Sequence, residues 1–84
     1  MSGVAKILRG LMMRDKIWES LADCRAIVDN PRLPLKKSKL GAWRRQRFAW
    51  WLNQFNPTTW DKEGRAINAA FLKVCDDFIA RLSE

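Results

Sequence analysis

Ile67, Phe71, Val74, Phe78 and Leu82 recur at spacings of three and four residues over the last third of the chain. Only a helix carries such a set along one side. Trp60 falls in phase with them and Cys75 lies beside them, so the stripe runs for about six turns. Thr58-Thr59-Trp60-Asp61 has the form of a capping box, with Asp in place of Glu or Gln. Asp61 and Glu63 suit the positive end of a helix dipole. The spacing therefore predicts a helix over 59–82, capped by Thr58 or Thr59. A helix with one long apolar face has to be covered. In a chain of 84 residues the remaining segments are the cover, and 1–84 is expected to form a single helical domain.

Those segments are helical too. Val4, Leu8, Leu11 and Met12 share a face, and from Ile17 onward the apolar set is Ile17, Leu21, Cys24 and Val28. On one ideal helix the two stripes lie more than roughly 100° apart. The pattern predicts a break near Arg14-Asp15, giving helices over 3–13 and 15–29 with Asp15 as N-cap. The first of these, basic and acid-free, carries a second reading as a membrane-surface helix or targeting peptide. Asn30-Pro31 stops the second helix and Pro34 keeps the connection extended. Ser38 is the candidate N-cap of a helix over 38–55, which Asn56-Pro57 ends. The fold class is all-α, a bundle of three to four helices over 3–13, 15–29, 38–55 and 59–82.

The net charge of +7 is confined to one part of this chain. Arg32, Lys36, Lys37, Lys39, Arg44, Arg45 and Arg47 lie between Asp29 and Asp61, a stretch with no acid. The nine basic residues elsewhere balance the nine acids. So local an excess suits an anionic partner. Trp43, Phe48, Trp50, Trp51, Phe55 and Trp60 are interleaved with it.

On the 38–55 helix, Leu40, Phe48, Trp51, Leu52 and Phe55 fall within an arc of roughly 120°, the face expected to be buried. Arg44 lies inside that arc and would need a partner, for which Glu19, Asp23 and Asp76 are the candidates. Trp43 and Trp50 fall outside the arc with Arg47 between them. Three arrangements suit this trio. It packs under the N-terminal helix as a second core face. It stacks on bases while Arg32, Lys36, Lys37, Lys39, Arg45 and Arg47 contact phosphates. Or it forms a protein hot spot for an acidic partner.

The chain has no His, no Gly-rich phosphate loop and no GxSxG. Asp76 and Asp77, adjacent on a helix, diverge. Cys24 and Cys75 without His make neither a zinc site nor a thiol–base pair, and both are expected to be reduced. No catalysis, metal, cofactor or small-molecule substrate is expected. The order of the second and third helices resembles a helix-turn-helix with a longer connection. In size and composition the chain resembles small phage- or plasmid-borne regulators and inhibitors. The expected function is nucleic-acid binding through 32–47, with a helical protein-interaction module or inhibitor as the alternative. The expected state is a cytoplasmic monomer. A homodimer along the last helix, with Gly64 at the close approach, is the competing arrangement.

Overall fold

The computed structural model describes the backbone of residues 3–84 and the side chains of residues 14–84. It contains three helices, α1 (Gly3–Val28), α2 (Leu40–Asn53) and α3 (Lys62–Leu82), and no strand among the described residues. Two 3₁₀ turns, Lys37–Lys39 and Pro57–Thr59, lead into α2 and α3. The expected all-α bundle is what the chain forms.

α3 is the central element, and α1 and α2 each lie against it. Its stripe behaves as the spacing requires. Ile67, Val74, Cys75, Phe78 and Leu82 are buried, and Phe71 is half-buried. Val28 of α1 completes the core with Val74 and Phe78, and Leu21, Cys24, Leu33, Leu35 and Trp43 pack around them. The stripe is thus covered within the chain.

Four local expectations are corrected. First, α1 is continuous through Arg14 and Asp15, with no break. Its second stripe docks on α3 through Leu21, Cys24 and Val28. Arg14 and Trp18 are tied to the start of α3: Arg14 donates to Asp61 at 2.7 and 3.0 Å and to Glu63 at 3.3 Å, and the Trp18 indole N–H donates to Glu63 at 3.2 Å. A break at Arg14 would misplace both. The packing of Val4, Leu8, Leu11 and Met12, and the membrane-surface alternative for that segment, lie outside the described side chains.

Second, the N-cap of α3 is Asp61, whose carboxylate accepts from the Gly64 N–H at 2.9 Å. Thr59 is buried and faces the other way, its hydroxyl donating toward the carbonyls of Asn53, Gln54 and Asn56 at 3.3, 2.9 and 2.8 Å. It closes the end of α2 and so cannot open α3. Third, Trp60 precedes α3 and is 71 % exposed. Fourth, Ser38 sits within the 3₁₀ turn, and α2 begins at Leu40 with no side-chain cap.

Candidate nucleic-acid interface

The connection from Asn30 to Lys36 is a short extended ribbon. Leu33 and Leu35 turn into the core while Arg32, Pro34 and Lys36 face solvent. The alternation is the period of two that an extended backbone imposes. The ribbon is anchored at its start. Asn30 Oδ1 accepts from the Arg32 N–H at 3.0 Å. The Arg81 guanidinium, reaching over from the last turn of α3, donates to the carbonyls of Val28, Asn30 and Pro31 at 2.5, 3.0 and 3.3 Å. A cation on these carbonyls closes the C-terminal end of α1. The 3₁₀ turn that follows exposes Lys37, Ser38 and Lys39 together.

α2 buries the face opposite to the one its sequence suggests. Trp43 stacks on Phe78 with ring centroids 3.8 Å apart and planes within 5°. Trp50 stacks on Phe71 at 4.3 Å and 10°. Asn53 donates to the buried Asn68 at 3.0 Å. The three pairs step forward along α2 and backward along α3, which defines an antiparallel register. The seven-residue separation of Trp43 and Trp50 matches that of Phe71 and Phe78. Both indoles are half-buried, and both line an apolar groove of about 590 Å³ between α1 and α2, with Ile17, Cys24 and Leu35. These two expected stacking residues therefore face the core, stacked on α3 with α1 side chains beside them, and do not form a free aromatic pair. Arg47, between them, gives its Nε–H to Asp76 at 2.6 Å. It is tied to α3 by this ion pair while its side chain stays exposed.

The face expected to be buried is the outer one. Phe48, Trp51, Leu52 and Phe55 are 59, 42, 47 and 67 % exposed. Phe48 and Trp51 lie nearly parallel, 16° between planes and 6.1 Å between centroids, and Phe55 meets Trp51 edge-on at 5.6 Å. Arg44, on this outer side, is exposed and forms no ion pair among the described residues. Asp76, one of the acids proposed for it, serves Arg47. An exposed arginine needs no compensating carboxylate.

The charges fall into two populations. Arg14, Arg25, Arg47 and Lys73 are bound to acids: Arg14 to Asp61 and Glu63, Arg25 to Asp29 and Asp77, Arg47 to Asp76, Lys73 to Asp77. Lys73, followed by Arg25, holds the Asp77 carboxyl below the usual carboxylate range. Arg14, with the Gly64 N–H, does the same for Asp61. Asp76 and Asp77 serve different helices, so they do not form a catalytic pair. By contrast Arg32, Lys36, Lys37, Lys39, Arg44 and Arg45 are all exposed and form no ion pair among the described residues; Lys16, Lys62 and Arg65 are also exposed and unpaired there, but each lies within two residues of an acid in the chain. Cys24 and Cys75 are free thiols, and burial pushes the Cys75 thiol up to about 11, away from thiolate chemistry.

No protein family matches the chain, and neither does any curated protein or solved structure. The signals that sequence reasoning missed are Arg44 and the outer ridge of α2. The i, i+3, i+4, i+7 spacing of Phe48, Trp51, Leu52 and Phe55 was plain. Which side α3 would cover was not.

Proposed function

We propose that the chain is a non-catalytic nucleic-acid-binding domain that meets phosphates through Arg32, Lys36, Lys37, Lys39, Arg44 and Arg45. The observation that carries this reading is the segregation of charge. Four of the cations outside the 32–45 segment are engaged with acids and three more, Lys16, Lys62 and Arg65, lie within two residues of one, whereas these six stand in solvent with no acid in the intervening chain. Solvated cations on a contiguous ribbon and helix start suit a polyanion, whose condensed counterions they displace. A cytoplasmic setting belongs to the same reading, since two unpaired cysteines persist where thiols stay reduced.

The test is the salt dependence of oligonucleotide binding. With four or five phosphate contacts on duplex DNA, log affinity should fall with log salt at a slope of about −4, at roughly −0.9 per contact. Replacing Lys36, Lys37 and Lys39 together should flatten that slope by about two to three units and weaken all sequences alike. Arg47→Ala should leave it unchanged. A triple-lysine variant with an unaltered slope refutes the site.

A second reading, a helical protein-interaction module or inhibitor, draws support from the exposed ridge Phe48, Trp51, Leu52 and Phe55, whose spacing is that of helix-in-groove anchors. Three of the six proposed contact residues are lysines, a residue type depleted at protein interfaces, which favours the nucleic-acid reading.

A further inference from the structure

Resting on the nucleic-acid reading above, we infer that the outer ridge of α2 is a base-stacking platform and that the ligand is a single strand. The ridge begins where the free cations end. Arg44 and Arg45 stand one turn before Phe48, and from Phe48 to Phe55 the helix and its first following residues carry no charge. A full aromatic side chain presents about 150–250 Å², so at their observed exposures Phe48, Trp51 and Phe55, with Leu52, leave several hundred Å² of apolar surface in water. A small monomer rarely leaves so large an apolar patch without a use for it.

What covers it has to be apolar on the ridge side and anionic beside Arg44, Arg45 and the lysine turn. A duplex satisfies only the second condition, because its bases are stacked away and its surface is phosphate. A second copy of the chain brings another acid-free α2 and the same free cations, so like charges meet. An unpaired strand satisfies both conditions: its backbone follows the cations and its splayed bases meet the rings. The Phe48 and Trp51 planes lie within 16° of each other, so bases stacked on the two rings would be nearly parallel. Between Phe48 and Leu52 the side-chain hydrogen-bonding groups are the indole N–H groups of Trp50 and Trp51 alone, too few to read a base edge, which makes the platform tolerant of sequence.

The experiment uses the full chain with three probes of equal length at one low salt concentration: a thymidine oligonucleotide, a duplex, and an abasic phosphodiester strand. The thymidine strand should bind more tightly than either of the others. Trp51→Ala and Phe55→Ala should each weaken it by about fivefold to a hundredfold, the range of one lost stack. Neither should change binding to the abasic strand or the salt slope, and Trp51→Phe should retain most of the affinity. Phe55, two-thirds exposed and past the end of α2, is the safeguard against a folding defect. The inference is overturned if the duplex binds as tightly as the thymidine strand, or if the ridge variants bind both strands as the parent does. It is likewise overturned if the parent sediments as a dimer that Trp51→Ala or Phe55→Ala dissolves. Salt-dependent binding that survives these failures preserves the phosphate site, whereas no binding to any probe removes the site and the platform together.

Discussion

Two phenylalanines thirty positions apart show how little residue type alone says about burial. Phe78 is 1 % exposed and lies flat on Trp43, and Phe48 is 59 % exposed on the far side of the same helix as Trp43. Removing a large ring from a packed core costs its transfer energy and leaves a cavity. Phe78→Ala should therefore lower the unfolding free energy by about 3–5 kcal/mol in urea titrations. Phe48→Ala should lower it by less than about 1 kcal/mol, as surface changes do. Equal losses would mean that the two faces of α2 have been assigned the wrong way round. The same contrast separates the arginines. Arg47 is spent on Asp76, while Arg44, three residues earlier, is unpaired in solvent.

At the level of elements, α3 was legible in the sequence because its apolar positions share one face and leave a single way to bury them. The ribbon before α2 was partly legible, since Pro31 and Pro34 forecast an extended chain and Leu33 and Leu35 alternate with Arg32 and Lys36. α2 was not legible, because it carries two apolar faces and nothing local ranks them. The ranking comes from α3, where Phe71 and Phe78 offer partners at the spacing of Trp43 and Trp50. The start of α3 escaped for a similar reason: Thr59 and Asp61 are both good caps, and only the docked end of α2 claims the threonine. The turn there is close-fitting. A Cβ on Gly64 would collide with the Thr58 carbonyl, a backbone atom that cannot swing aside, so its close approach is within the chain. Gly64→Ala should cost about 1–3 kcal/mol from overpacking, although alanine is the better helix former. Gly41→Ala is its control. There a Cβ meets only the Arg45 guanidinium at 3.6 Å, an ordinary contact, and stability should rise by about 0.5–1 kcal/mol. Thermal melts of the two variants should shift in opposite directions.

Across the whole molecule, most of the bound charges fasten another helix or its end to α3: Arg14 at its start, Arg25 and Arg47 in its second half, and Arg81 from its last turn back to the end of α1. The acid response follows. Asp61 and Asp77 have folded values below the ordinary 3.8, so their contribution is fully present above that value and is lost as pH falls through the lower folded ones. Melting temperature should accordingly be level from neutral pH to about 4 and decline below it. Asp77→Asn should remove part of the decline, and a fall that begins near neutrality would contradict the assignment. The packing of α2 also sorts the tryptophans. Trp18, Trp43 and Trp50 are half-buried against neighbours in the chain, and Trp51 and Trp60 stand 42 and 71 % in solvent. In optical terms the protein holds two kinds of fluorophore. Acrylamide reaches the outer pair in the native state, and the other three emit to the blue until the helices separate. A ligand lying on α2 is thus reported by the quenchable red-edge emission and loss of structure by the blue, so occupancy and unfolding are followed independently in one unlabelled sample.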